Sequence, residues 1–130
     1  MLIARHGKLV LEEYFHGESR DHPHETRSAA KSITSTLAGA VIHSGKRVML
    51  GSPVYAIMNG GTFPGGIEPR KRRILLEHLL SMSSGIDCDD DDDKSPGNEN
   101  AMWDQSEEPD YYRFILRLGT IREPGEKQVY

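Results

Sequence analysis

A run of apolar residues at helical spacing, directly after a polar stretch, constrains the fold of this 130-residue chain more than any other feature. Apolar side chains that recur every three or four residues lie on one face of a helix. The run stops at Gly45, a residue well suited to ending a helix in the left-handed conformation. The pattern therefore predicts a helix over residues 28–44. Its apolar members are Ala29, Ala30, Ile33, Leu37, Ala40 and Val41.

Two side chains capable of chemistry, Ser28 and Lys31, fall in the first turn of that helix. Residues three apart on a helix are neighbours, with Cβ atoms roughly 5–6 Å apart, so the Lys31 amine can reach Ser28 Oγ and remove its proton. Unpaired N–H groups and the positive end of the helix dipole favour an oxyanion there and disfavour a protonated amine. The pair predicts serine acyl transfer. The alternative is that Ser28 only caps the helix and Lys31 is a solvated side chain.

The rest of the chain predicts a hairpin and further helices. Residues 2–15 form a predicted β-hairpin that turns at His6-Gly7, and residues 16–27 a loop. Residues 46–130 are predicted to be mostly helical. Within them we expect a short turn after Pro53, a packed helix from residue 73 to the Ser-Ser-Gly segment at residues 83–85, and a third helix after Pro109.

The predicted fold class is α+β, a β-hairpin plus helices. A lone two-stranded hairpin is marginally stable in water, and its strand edges are unpaired. We therefore expect further strands to complete the sheet, supplied by the remainder of the domain or by another chain.

Several segments occur in an order that is typical of one family of proteins. They are Ser28-Ala29-Ala30-Lys31-Ser32, Ser52-Pro53-Val54, residues 74–86 with their Met-Ser-Ser-Gly-Ile ending, residues 95–99, Pro124-Gly125 and Val129-Tyr130. This order resembles the serine β-lactamase and penicillin-binding protein superfamily, most closely its class C-like branch, which includes esterases and amide hydrolases. The resemblance implies a β-lactamase/transpeptidase-like fold, of which residues 1–130 would be the N-terminal portion only.

By this resemblance, Ser28 would be the acylated nucleophile, Lys31 its proton partner, and Tyr130 the tyrosine that opens the family's second motif. The third motif, Lys or His before Gly on a strand, would lie after Tyr130 and supply an oxyanion donor beside the Ser28 N–H. The parent protein would be a serine hydrolase for a small-molecule ester or amide, with β-lactams and peptides among the candidates. No metal or organic cofactor is implied. We expect residues 1–130 alone to be inactive.

The alternative, from a different functional class, is a non-catalytic binding or scaffold protein built on the same fold. Such a protein would keep Ser28 and Lys31 without turnover. A reading frame that continues with Asn or Ser two residues beyond Tyr130, and later with Lys or His before Gly, favours the enzyme. A natural chain that ends at Tyr130 favours the binding protein.

Composition excludes some partners. A net charge of −4 argues against a general nucleic-acid binder. The basic run at residues 70–73 has no interleaved aromatic residues, and we expect it to be solvated. No stretch approaches the roughly 18 apolar residues of a membrane span. The first residues do not resemble a signal peptide, and the compartment stays open.

The acidic run, the histidine pair and the single cysteine are not predicted to form a metal or catalytic site. The acidic run around Asp89–Asp93 lacks the glycine and glutamate of a calcium loop, so we expect a solvated, mobile loop. His22 and His24 lack a third convergent ligand and predict no metal site. The acidic surroundings of Cys88 disfavour a thiolate, and we expect no reactivity.

Overall fold

The computed structural model describes residues 1–104 and 109–130, which form an α+β arrangement. The chain divides into two compact units, Met1–Thr36 and Leu37–Tyr130. The elements of the described residues are β1 (Leu2–Arg5), β2 (Lys8–Glu12), α1 (Ala29–His43), α2 (Val54–Met58), a 3₁₀ turn (Lys71–Arg73), α3 (Leu76–Leu80), α4 (Glu99–Trp103) and α5 (Tyr111–Arg117). Of the helices in these residues, none has the length and apolar character that crossing a membrane requires.

The hairpin occupies the beginning of the first unit. Strand β1 pairs antiparallel with β2, and a bulge interrupts the register between Ile3 and Ala4. The connecting residues His6 and Gly7 both have positive φ, 49° and 73°. A two-residue loop of this kind matches the right-handed twist of the flanking strands. All four residues of β1 are exposed.

Helix α1 begins at Ala29, one residue later than the sequence pattern predicts, and runs for 15 residues. It ends before Gly45, whose φ of 74° is in the left-handed region that commonly terminates a helix. Within the described part of the chain, none of its residues is buried. The apolar side chains Ile33 and Leu37 are 58% and 61% exposed. Local hydrogen bonding thus accounts for the helix, and its apolar face has little packing in these residues.

The core lies in the second unit. Two isolated antiparallel bridges, Pro53↔Leu75 and Ile86↔Thr120, join segments that are far apart in sequence. Ile74 is completely buried and lies beside the first bridge. The buried hydrophobic residues are Val54, Tyr55, Ile74, Ile86 and Leu118.

The helix expected from residue 73 onwards is shorter than predicted. Ile74 and Leu75 are extended, with ψ of 114° and 162°, and α3 starts only at Leu76. Their segment pairs with the one before α2 instead: Val54 N–H donates to Ile74 O, and Leu76 N–H donates to Ser52 O, both at 3.0 Å. Pairing between distant segments therefore overrides the local apolar periodicity.

The prediction that residues 46–130 are mostly helical is wrong for the described residues. Helices α2 to α5 have five to seven residues each, and loops and turns connect them. Among α2 to α5, helix α5 agrees with the sequence analysis, which expects a helix after Pro109. Its N-cap Asp110 accepts hydrogen bonds from the N–H groups of Tyr112 and Arg113, which satisfies donors that every helix start leaves open.

The basic run at residues 70–73 is not simply solvated, in contrast to the prediction. Lys71 is buried, and its Nζ donates to the main-chain oxygen of Leu116 at 2.8 Å. Arg70 and Arg73 both bind the carboxylate of Glu123, at 3.0 and 2.6 Å. The hydrogen bond from Arg73, helped by Arg70, lowers the pKa of Glu123. Three of the four basic side chains thus hold this segment to the rest of the second unit.

Candidate functional site

Ser28 and Lys31 are in contact at the beginning of helix α1. Lys31 Nζ lies 3.1 Å from Ser28 Oγ, within hydrogen-bonding distance. Both residues are exposed, so a solvent-borne molecule can reach the hydroxyl. The three-residue spacing produces this contact because Ser28 immediately precedes the helix and Lys31 is in its first turn. An amine in this position, once unprotonated, can accept the serine proton.

The amide groups at the start of α1 differ from the sequence-based expectation. The N–H groups of Ala29, Ala30 and Lys31 donate to the carbonyl oxygens three residues earlier, at 3.0–3.2 Å. These three donors are therefore already used in a tight turn. The helix dipole still favours negative charge near Ser28 Oγ, whereas these particular N–H groups are not open oxyanion donors.

The backbone bends sharply just before the serine. Arg27 has a φ of +48°, a left-handed conformation that is uncommon for a residue with a Cβ atom. Its carbonyl oxygen accepts the hydrogen bond from Ala30 N–H. The chain therefore enters α1 through a tight turn at Arg27.

An ion pair attaches the loop before the serine to the hairpin. Arg20 Nε donates to Glu12 Oε1 at 2.8 Å, its Nη2 binds the other carboxylate oxygen, and Tyr14 OH donates to Oε1 at 2.6 Å. The hydrogen bonds from Arg20, followed by that from Tyr14, lower the pKa of Glu12 to about 2. The Glu12 carboxylate in turn raises the pKa of Tyr14. Sequence reasoning missed this cluster, because residues eight apart in a loop have no fixed spacing.

The two histidines of the loop share a carboxylate neighbour. His22 Nδ1 contacts Glu18 Oε2, and His24 Nε2 lies 3.7 Å from the same oxygen. The i,i+4 spacing of Glu18 and His22 was visible in the sequence. Among the described residues, no group of three or more His, Cys, Asp or Glu side chains has the arrangement that holds a metal ion. The two exposed histidine rings therefore lie around one partly buried carboxylate.

Tyr130 belongs to the second unit, whereas Ser28 and Lys31 belong to the first. Its side chain is 52% exposed. The main-chain oxygen of Tyr130 accepts a hydrogen bond from Asp90 N–H at 3.0 Å, and the preceding Val129 N–H donates to Met82 O at 2.9 Å. Residues 129 and 130 are thus hydrogen-bonded to the acidic loop, residues 87–98, and to the turn that follows α3.

The acidic loop is folded rather than merely solvated, and this corrects the sequence-based expectation. Asn98 is 2% exposed and Ser95 is 7% exposed. Ser95 Oγ accepts a hydrogen bond from Asp89 N–H at 3.0 Å, while Asn98 Nδ2 faces three carbonyl oxygens of the loop. Asp91 and Asp92 are exposed, so part of the loop is solvated as expected. The buried amide was missed because an asparagine among acidic residues resembles any polar loop residue.

Cys88 lies inside this loop and is half-buried. Its Sγ donates to Gly97 O at 3.0 Å. Burial raises the pKa of the Cys88 thiol, and the charges of Asp90, Asp89 and Asp87 raise it further. A thiol of raised pKa is a poor nucleophile at neutral pH, as the sequence predicts.

His78 and Gly85 have structural roles in the segment of residues 74–86. His78 Nδ1 accepts a hydrogen bond from Leu75 N–H at 3.1 Å, so the ring caps α3. Gly85 has a φ of +75°, and its backbone accepts hydrogen bonds from Ile121 and Arg122 N–H groups. The Met-Ser-Ser-Gly segment therefore acts as a packed connection in the second unit.

The family model described as Beta-lactamase matches residues 1–130. No curated protein matches the chain.

Proposed function

The chain belongs to the Beta-lactamase family, and on that premise we propose that it acts in a serine hydrolase that cleaves an ester or amide through an acyl-enzyme on Ser28. The observation that carries the proposal is the 3.1 Å separation between Lys31 Nζ and Ser28 Oγ. A nucleophile and a base within hydrogen-bonding distance are the recognised signature of covalent catalysis by serine. Family membership supports hydrolase chemistry in general, and this contact supports the assignment of the two residues.

The proposed reaction has two halves. Unprotonated Lys31 accepts the Ser28 proton as Oγ attacks the carbonyl carbon, which forms a tetrahedral oxyanion. The oxyanion collapses, the bond to the alcohol or amine breaks, and the leaving group takes up the proton. Water then attacks the Ser28 ester, donates one proton to the departing serine and releases the carboxylic acid. No electrons are exchanged with any cofactor in this scheme.

Tyr130 is proposed to share proton transfer with Lys31. A phenol can take the proton from the lysine side and pass it to the leaving group. The proposal rests on its place at the end of a segment that resembles the family's second motif, and on the two main-chain hydrogen bonds that hold residues 129 and 130. The substrate class proposed is a small ester or amide, in which β-lactams and peptides are included.

We also propose that residues 1–130 alone are not a competent enzyme. Two observations support this: β1 is exposed along its whole length, and none of the residues of α1 is buried within the described part of the chain. A two-stranded hairpin and a helix with an open apolar face are expected to fluctuate in water. Further strands, from the same reading frame or from another chain, would pack against them and fix the position of Ser28.

A covalent probe tests the proposed function. The protein expressed from its complete reading frame is incubated with a fluorophosphonate and, separately, with a β-lactam, and the adduct is mapped by peptide mass spectrometry. We expect the adduct on Ser28, its loss in Ser28→Ala, and slow labelling in Lys31→Met. Ser35→Ala is the matched control, because it removes a hydroxyl one to two turns further along the same helix.

Two results would contradict these proposals. Labelling that persists in Ser28→Ala assigns the nucleophile elsewhere, and no labelling of any serine favours the non-catalytic binding or scaffold protein. Equal labelling rates for residues 1–130 alone and for the product of the complete reading frame would contradict the need for additional strands.

A further inference from the structure

The acidic loop before α4 is organised by one buried amide. Asn98 Nδ2 is 3.2 Å from Asp90 O, and lies at 3.4 and 3.5 Å from Asp89 O and Asp92 O. Its Oδ1 accepts from Asn100 N–H at 2.9 Å and caps α4. An asparagine side chain has both donors and an acceptor. A single residue therefore closes the loop on one side and starts a helix on the other.

The carboxylates of the same loop act as turn formers. Asp89 Oδ1 accepts from Asp91 N–H at 3.0 Å, and Asp92 Oδ1 accepts from Lys94 N–H at 2.9 Å. Short acidic side chains commonly accept hydrogen bonds from N–H groups two residues later. Asp89 and Asp92 therefore have a structural role in the turns of the loop.

Asp90 connects this loop to Tyr130. Its carbonyl oxygen faces the Asn98 amide, its carboxylate accepts from Glu99 N–H at 2.8 Å, and its N–H donates to the main-chain oxygen of Tyr130 at 3.0 Å. Asp90 therefore accepts a hydrogen bond from the Asn98 side chain and donates one to the main chain of Tyr130. A shift of the loop would move the backbone of Tyr130 with it.

We propose that Asn98 is a positioning residue for Tyr130, acting through Asp90, in the reaction at Ser28; this inference rests on the proposed function. Its near-complete burial gives the amide a fixed orientation that an exposed loop residue lacks. Displacement of a reacting group by about 1 Å can slow a reaction about a hundredfold. Loss of the hydrogen bond from Asp90 N–H would let the backbone of Tyr130, and its side chain with it, shift by such distances.

The first experiment measures the link without any catalysis. Amide hydrogen exchange is followed by NMR in the protein from the complete reading frame, in Asn98→Ala and in the control Asn59→Ala. Asn59 Nδ2 also donates to a main-chain oxygen, Thr62 O at 3.0 Å, in a different turn of the same unit. We expect Asp90 N–H to exchange about tenfold faster in Asn98→Ala and to stay unchanged in Asn59→Ala. Unchanged exchange in Asn98→Ala overturns the inference.

The second experiment separates positioning from general stability. Labelling rates at Ser28 are measured across pH for the wild type, Asn98→Ala, Tyr130→Phe and the double variant. We expect Asn98→Ala to slow labelling about tenfold or more and to alter the pH profile as Tyr130→Phe does. Because Asn98 acts through Tyr130, the double variant should be no slower than Tyr130→Phe. Additive losses, or a wild-type rate in Asn98→Ala, overturn the inference.

The outcomes distinguish the two proposals. Absence of Ser28 labelling in the wild type refutes the proposed function and with it a catalytic role for Asn98. Normal wild-type labelling that is insensitive to Asn98 refutes only the positioning role. If circular dichroism shows that Asn98→Ala is unfolded, the cycle is run with Ser95→Ala. This variant removes the hydrogen bonds of Ser95 Oγ with Asp89 N–H and Asp87 Oδ1 in the same loop, and is expected to give a smaller loss that is again absent in Tyr130→Phe.

Discussion

Lys71 donates a hydrogen bond from Nζ to the main-chain oxygen of Leu116, 2.8 Å away, although the lysine is only 8% exposed. Its ammonium also lies 5.6 Å from the centre of the Tyr55 ring. A charge in such a place is tolerated when hydrogen bonds and an aromatic face replace part of its hydration. The contact joins the 3₁₀ turn to the last turn of α5 and so closes one side of the core.

Replacing Lys71 with methionine should destabilise the second unit. The variant keeps most of the aliphatic stem but leaves Leu116 O without its charged donor, and we expect the free energy of unfolding to fall by about 2 kcal/mol. Urea unfolding followed by circular dichroism measures the change. Lys46→Met is the control, since Lys46 is exposed. Equal effects of the two substitutions would contradict a stabilising role for the buried ammonium.

Replacing Tyr55 with phenylalanine should stabilise the protein. Tyr55 is 4% exposed, and among the described residues its hydroxyl has no hydrogen-bond partner. Removing an unsatisfied buried hydroxyl is expected to raise the free energy of unfolding by about 1 kcal/mol. Tyr111→Phe, at a residue that is 50% exposed, is the control. A loss of stability in Tyr55→Phe would show that the hydroxyl is hydrogen-bonded in solution.

Tyr55 should also make the stability of the protein fall at alkaline pH. Burial, with the charge of Glu68, raises the pKa of Tyr55 from 10 to about 12. Because its pKa is raised, Tyr55 keeps its proton in the folded state at pH values where the unfolded state loses it. The free energy of unfolding is therefore unaffected by this group below pH 10, and it falls as pH rises from 10 towards 12. Tyr55→Phe should lose less stability across that window than the wild type. Urea midpoints measured at both ends of the window test this.

The Glu12 and Arg20 pair should affect stability at acid pH. The pKa of Glu12 falls from 4.5 to about 2 in the folded state. The contribution of the pair is therefore present above pH 4.5 and is lost as pH falls towards 2. Glu12→Gln should remove this part of the acid dependence, whereas Glu13→Gln should not. A carbon NMR titration of the Glu12 carboxyl group that gives an ordinary midpoint would contradict the ion pair.

Two glycine substitutions should separate backbone strain from steric contact. A Cβ atom on Gly85 would lie 2.4 Å from Arg122 O, whereas one on Gly66 would meet nothing within 4 Å; both residues have positive φ. We expect Gly66→Ala to cost about 1 kcal/mol from strain alone. Gly85→Ala should cost about 3 kcal/mol, because the Arg122 backbone must also move. Similar losses of thermal stability in the two variants would contradict the close approach.

Features governed by neighbouring residues could be predicted from the sequence. His6-Gly7 specifies a two-residue turn, a spacing of three brings Lys31 to Ser28, and Asp110 caps the helix that follows it. In each case the interacting atoms are within a few residues of one another. Local conformational preferences and the 3.6-residue period are then sufficient to place them. The contact between the candidate nucleophile and base is a property of this kind.

Other features depended on contacts between distant segments. Ile74 is extended because its carbonyl oxygen accepts a hydrogen bond from Val54 N–H. The Lys71 ammonium is enclosed where it donates a hydrogen bond to Leu116 O, and Asn98 is buried where its amide donates to the carbonyl oxygens of the loop. Propensity and periodicity contain no information about which remote carbonyl or side chain will be near. The sequence by itself determined the helix start that brings Ser28 and Lys31 together. Only the tertiary structure decided which polar residues of the second unit are enclosed, because burial depends on packing between segments that no local pattern specifies.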